Sequence, residues 1–208
     1  MASDIKLQDF DRVLIVEGYS DLLFYAELLE FLGKGGTVFI KQFNGKEDLI
    51  LKLETFITPL LLAEKQRVAV IVDANGDSAG AFNKLRSTLG ELTGQIVSAP
   101  GMWTVGNPEI GLFVTPDGRN NGEIETLVWR AWAGDPANQQ QKLCIETFVS
   151  CMNANGYSPH SPDKGLISSL LAIRCDEDPR LGPGARTREV FDFERPEYEQ
   201  LRAFLSVF

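Results

Sequence analysis

One histidine, His160, and three cysteines, Cys144, Cys151 and Cys175, are all that a chain of 208 residues offers to a zinc site of Cys and His. No Cys-x-x-Cys pair occurs, which argues against a zinc site built from closely spaced Cys and His. Long apolar runs are missing too: none approaches the ~20 residues that a membrane-spanning helix needs. The opening Met-Ala-Ser-Asp-Ile-Lys has neither the basic nor the apolar region of a signal peptide. The expectation is a cytoplasmic protein with reduced thiols and no membrane contact. Gly33-Lys34-Gly35-Gly36 lacks the spacing of a phosphate-binding P-loop. Repeats are absent, and Gln139-Gln140-Gln141 is too short to count as low complexity.

A basic excess is also lacking. Twenty Lys and Arg against 29 Asp and Glu give a net charge of −9. That balance speaks against a simple nucleic-acid-binding module, whose affinity comes from cations on phosphates. It is compatible with a metal-dependent phosphoryl enzyme, in which carboxylates hold a cation and the cation meets the phosphate. One local basic set stands in the C-terminal part: Lys164, Arg174, Arg180, Arg186 and Arg188. Its simplest reading is solvated surface charge.

What the chain does have is 44% hydrophobic and 24% charged residues, ordinary for a globular protein, and two apolar runs that end in acids. Val13-Leu14-Ile15-Val16 runs into Glu17-Gly18-Tyr19-Ser20-Asp21, and Val68-Ala69-Val70-Ile71-Val72 into Asp73-Ala74-Asn75-Gly76-Asp77. Continuous β-branched runs read as strands buried on both faces, the pattern of a parallel sheet. Ligands collect at the carboxyl ends of such strands. Glu17, Asp21, Asp73, Asn75 and Asp77 are therefore expected at one rim, where a hard divalent cation is the usual means of holding grouped carboxylates together.

The remaining pattern alternates strand and helix. Strands are predicted at 12–17, 37–42, 67–73, 96–99 and 111–115, with helices at 20–32, 46–62 and 78–90. Ser20 is the expected N-cap of the first helix, and Pro59 is expected to bend or end the second. Helices follow at 123–133, 138–153 and 164–174, then an exposed loop at Gly182-Pro183-Gly184 and a closing helix from Glu197 with Tyr198, Leu201, Phe204 and Leu205 inward. The alternation predicts an α/β fold with a mostly parallel sheet.

The order strand-Glu17-Gly-x-x-Asp21, then a strand ending in Asp73-x-Asn75, resembles a Toprim domain, the catalytic module of bacterial primases, topoisomerases and OLD-family nucleases. Pro116-Asp117, Gly122-Glu123-Ile124-Glu125 and Asp163-Lys164 continue the likeness, which is greatest to small stand-alone Toprim-like proteins related to OLD nucleases. The resemblance implies a Rossmann-like Toprim core over residues 1–135 and a helical extension over 136–208 packed on it. It also implies Mg²⁺- or Mn²⁺-dependent phosphodiester hydrolysis on nucleic acid. Glu17 matches the glutamate given acid/base or metal work, Asp21 and Glu125 match metal-site acids, and Asp73 and Asn75 occupy the Asp-x-Asp position that holds Mg²⁺. Asn75 departs from that pattern by bringing no charge, with Asp77 as the candidate compensator. Lys164 matches a lysine that stabilises charge on the scissile phosphate. The partners so implied are nucleic acid or a nucleotide, an ATPase, and a second copy of the chain as a homodimer.

Each assignment has a plainer counterpart. Glu17 can accept backbone N–H groups of the following turn, and Asn75-Gly76-Asp77 can be a turn. Glu123 and Glu125 suit a helix start through the dipole alone. Lys164 in a first helical turn opposes the dipole, so helix stability does not call for it. His160 reads as an exposed bystander, and Trp103, Trp129 and Trp132 as packing. The rival to a nuclease is an inactive module that binds a nucleotide or phosphate or docks on an ATPase.

Overall fold

The structure is a computed structural model that describes residues 7–62, 65–175, 178, 180–187 and 189–208. The opening hexapeptide and Arg188 lie outside the described residues. Five strands form one sheet: β1 (Arg12–Val16), β2 (Phe39–Gln42), β3 (Arg67–Asp73), β4 (Met102–Trp103) and β5 (Glu109–Thr115). Their order is β2-β1-β3-β5-β4. The first three neighbouring pairs are parallel, and among the described residues only β4 runs antiparallel, against β5.

The apolar runs form strands because every residue of each run has a core to enter. Val13, Ile15, Val68, Val70 and Val72 enter one core with Ile110, Leu112 and Val114. Leu14, Val16, Ala69, Ile71 and Phe113 enter the other. Such period-two alternation between two cores is what a doubly covered parallel sheet requires. Helices α1 (Tyr19–Phe31) and α2 (Lys46–Leu62) connect the first three strands, and α3 (Ser78–Thr93) follows β3. Residues of α2 and α3 cover the first face, among them Leu49, Leu53, Leu85 and Leu89. The second face is covered by α1 together with α4 (Ile124–Ala133), α6 (Pro162–Arg174), α7 (Leu181–Gly184) and α8 (Glu199–Ser206). Helix α5 (Gln139–Ala154) packs on α6 and adds Ile145 to the same core.

The result is an α/β fold of Rossmann type. From β1 the chain crosses to β2 on one side, then returns past β1 to β3 on the other. The carboxyl ends of β1 and β3 therefore flank a topological switch point, the crevice where such folds place ligands. Among the described residues no helix is long and apolar enough to cross a membrane.

The C-terminal helices are part of this packing. Trp103 stacks on Phe204 at 5.0 Å between ring centroids, and Phe113 meets the same ring at 5.4 Å. Tyr198, Leu201, Phe204 and Leu205 are buried. Trp129 and Trp132 are buried beside one another in α4, while Trp103 Nε1 donates to the Phe204 carbonyl.

Four expectations are corrected. Residues 96–99 form no strand, and the sheet is completed instead by Met102–Trp103; two residues have no periodicity to read. Of the two outcomes expected at Pro59, an end to the helix does not occur: α2 continues to Leu62, carried by the buried series Leu49, Leu53, Ile57 and Leu60. Gly182-Pro183-Gly184 is not an exposed loop: α7 spans it, with both glycines buried. A Cβ on Gly182 would lie 2.7 Å from the Ser20 carbonyl oxygen, so its bare backbone lets α7 approach α1. Ser20 does not cap α1, whose N-cap is Gly18; its Oγ accepts the Gly182 N–H at 3.1 Å.

Candidate metal centre

Glu17 follows the last residue of β1, and its Oε1 accepts the Asp73 N–H at 2.7 Å. Four residues on, Asp21 lies in the first turn of α1, where Oδ2 reaches back to the Gly18 N–H at 2.8 Å. Asp73 ends β3 in register with Thr115 of β5. Its Oδ1 accepts from the Thr115 hydroxyl and from the Ile124 N–H, the latter at 3.0 Å. Ile124 opens α4, so a free N–H of a helix N-terminus points at this carboxylate, as the helix dipole favours. Lys46, at the start of α2, donates from Nζ to the Asp73 carbonyl at 2.7 Å. Asp73 is thus gripped at its N–H, its carbonyl and its side chain.

Two more carboxylates come from the start of α4. Glu123 is 6% exposed and pairs with the Lys164 ammonium. Glu125 carries a buried oxygen, Oε2, that has no hydrogen-bond partner. Asp73, Glu123 and Glu125 each present an oxygen within 4.8 Å of the others. The N-terminus of α6 is tied to this corner. Ser161 Oγ accepts the Lys164 N–H at 3.2 Å. Thr126 Oγ1 donates to Asp163 Oδ2 and accepts the Glu123 N–H at 3.0 Å.

The field at the rim follows from this crowding. Burial pushes the Glu17 carboxyl up to about 7, the Asp73 charge adds to it, and the Asp73 N–H, Lys46 and Lys164 oppose it. Asp21 is also raised to about 7, by burial and then by the charges of Asp73 and Glu17. Glu125 reaches about 7, again through burial, with Lys164 pulling down and Asp73 pushing up. Asp73 itself is raised, burial outweighing its hydrogen bonds. Burial opposes the charge on Lys164, yet Glu123, Glu125 and Asp73 hold its ammonium above the usual value. Tyr25, one turn after Asp21, is fully buried in the same field and pushed well above the ordinary phenol range.

This donor set fits a hard cation. It is all oxygen, it lacks Cys and His, it suffers mutual repulsion, and it includes a buried oxygen with no other partner. Asp73, Glu123 and Glu125 would hold the ion, with Glu17 and Asp21 on the same rim.

The second acidic motif contributes less than its sequence promised. Asp77 is exposed, and its Oδ1 caps α3 by accepting the Gly80 N–H at 2.8 Å. Asn75 is exposed with φ of 53°. Its backbone exchanges hydrogen bonds with Gly122 at 2.7 and 2.8 Å, which joins the turn after β3 to the approach to α4. Among the acids of the described residues, Glu123 rather than Asp77 joins Asp73 and Glu125 in the group of approaching oxygens. Glu123 and Lys46 were missed as site residues. An acid at a helix start and a lysine after Gly45 are unremarkable alone, and only the tertiary fold brings them to Asp73.

Beside the triad opens a cavity of about 570 Å³, lined by Asn75, Asn121, Glu123, His160, Ser161 and Lys164 among others. His160 is exposed at its wall. Three other described members of the C-terminal basic set are paired on the surface: Arg174 with Glu189, Arg180 with Asp178 and Arg186 with Glu27. Those arginines offer no free basic stripe.

A family model described as "Protein of unknown function (DUF3226)" matches residues 11–208. No curated protein and no solved structure matches the chain.

Proposed function

The chain belongs to the DUF3226 family, whose description assigns no activity, and we propose from the site that it is a Mg²⁺- or Mn²⁺-dependent phosphodiesterase of the Toprim-like, OLD-related kind, acting on nucleic acid in the cytoplasm. The observation that carries this reading is the carboxylate triad Asp73, Glu123 and Glu125, with its unpartnered Glu125 oxygen, at the switch point of the sheet.

When bound, the cation would supply charge neutralisation on the phosphate and a more acidic water. The protein's own groups do the rest. Glu17, with its carboxyl raised to about 7 and Oε1 fixed on the Asp73 N–H, is suited to take and return a proton near neutrality. Asp21 adds a second acid on the same rim. Lys164 lines the adjoining cavity and supplies a positive charge for phosphate oxygens. Lys46 and Thr115 keep Asp73 in place.

A second reading has two specific observations in its favour: Asn75 brings no charge, and Asp77 is engaged as a helix cap. On that reading the protein binds a nucleotide or phosphate without cleaving it, or docks on an ATPase or on a second copy of itself. The separating experiment incubates the full chain with Mn²⁺ and single- and double-stranded DNA and RNA. The nuclease reading expects Mn²⁺-dependent cleavage that falls by ~10² in Glu17→Gln. Absence of cleavage across all substrates and both metals, with nucleotide binding retained, would favour the second reading.

A further inference from the structure

Lys164 and Glu123 meet across the junction of α6 and α4, and their pair stands where cation uptake has to act. Glu123 belongs to the triad of closely approaching oxygens, and it already holds a cation, the Lys164 ammonium. The other two acids are differently placed. Asp73 Oδ1 takes neutral donors from Thr115 and Ile124, and Glu125 Oε2 is buried without a partner. A dication shared by the three must compete with the lysine for Glu123. The lysine is the movable member of the pair. Its side chain keeps 40% of its surface exposed, against 9% for Glu123. Its backbone N–H is fixed by Ser161 Oγ, so the side chain can swing while α6 stays docked. The space it would swing through is the cavity of about 570 Å³ that it lines together with Asn75, Asn121 and His160.

We propose, building on the metal-centre reading above, that Lys164 is an exchangeable occupant of the cation site: a divalent cation displaces its ammonium from Glu123 and hands it to the cavity, where it holds an anionic phosphoryl group. Two cations on one nearly buried carboxylate repel each other, and low effective permittivity strengthens that repulsion. The freed ammonium then has an anion as its natural partner. Binding is therefore ordered, cation first and phosphate second. A phosphate arriving first meets a rim of carboxylates and a lysine already engaged. The contrasting role is a fixed bridge that merely ties α6 to α4, in which case metal uptake leaves Lys164 where it is.

The test labels surface amines of the full chain while Mg²⁺ alone is titrated, and reads Lys164 by mass spectrometry against the exposed Lys84. Calorimetry follows Mg²⁺ binding to the wild type and to Lys164→Met. The exchange predicts that Lys164 labelling rises several-fold over the concentration range in which heat is released, with Lys84 unchanged. It also predicts that Lys164→Met binds Mg²⁺ several-fold more tightly, because an internal competitor has been removed. Mg²⁺ binding with flat or falling Lys164 labelling, or weaker binding by Lys164→Met, would assign the lysine to the fixed bridge and overturn the exchange. Absence of Mg²⁺ binding in both proteins would overturn the metal-centre reading itself, and the exchange with it.

Discussion

Glu125 carries a physical conflict. Its Oε2 is buried and without a partner, and burial raises its carboxyl to about 7. At pH 8, above that value, the group is charged and the full cost of burying that charge weighs on the fold. Glu125→Gln should therefore stabilise the chelator-treated protein at pH 8 by about 1–2 kcal/mol, read by urea unfolding, while weakening Mn²⁺ binding by about tenfold or more. Reduced stability at pH 8 would mean that the oxygen is satisfied in solution. Asn75 gives the opposite case. With φ of 53° and two backbone bonds to Gly122, it acts through its backbone. Asn75→Gly should be near neutral, Asn75→Val should cost about 1–2 kcal/mol, and Asn75→Asp should leave Mn²⁺ affinity unchanged. Tighter Mn²⁺ binding by Asn75→Asp would restore Asn75 as a ligand position. At this scale Glu17, Asp21 and Asp73 were legible because each follows an apolar run that could only be a buried strand. Glu123 was weighed but set behind Glu125, because both occupy a helix start and only their tertiary surroundings distinguish them.

Between elements, the site depends on two close approaches. One is the grip on Asp73 by Glu17, just after β1, and by residues of α2, β5 and α4, which converge at the switch point. The other is the seat of α7 against α1, at Ser20 and Leu23 on either side of Asp21. A Cβ at position 182 would meet the Ser20 carbonyl oxygen at 2.7 Å and the Leu23 Cβ at 2.8 Å. Gly182→Ala should therefore destabilise the protein by about 1–3 kcal/mol, despite the better helix propensity of alanine. A differential scanning calorimetry trace with a lower Tm is the expected result, and an unchanged or raised Tm would show that α7 is not held against α1. Sequence reading found the long elements because their apolar patterns run for many residues. It missed α7 and β4 because these are four and two residues long and arise from packing: Gly182 against Ser20, and Trp103 against Phe204.

For the whole molecule, the rim makes stability depend on pH and on metal together. Glu17, Asp21 and Glu125 have folded-state values of about 7, against ordinary values of 4.5, 3.8 and 4.5. Between those limits the folded state keeps protons that the unfolded state has lost, so stability falls as pH rises from about 4 to 7 and the penalty is complete above that. Thermal unfolding with chelator should show Tm decreasing across this window. With excess Mg²⁺ the trend should be offset, because the ligands bind the ion deprotonated and binding stabilises the folded state. Identical pH profiles with and without metal would separate the acidic rim from any cation.

The most direct measurement is calorimetric titration of the full chain with Mn²⁺ at pH 7, repeated in two buffers of different ionisation enthalpy. Carboxyls raised to about 7 at this rim must lose protons as the ion binds, so the account predicts saturable binding with proton release. It predicts that both disappear in Asp73→Asn, while that variant keeps the wild-type circular dichroism spectrum. No saturable heat in the wild type, or binding that survives unaltered in a folded Asp73→Asn protein, would contradict the account.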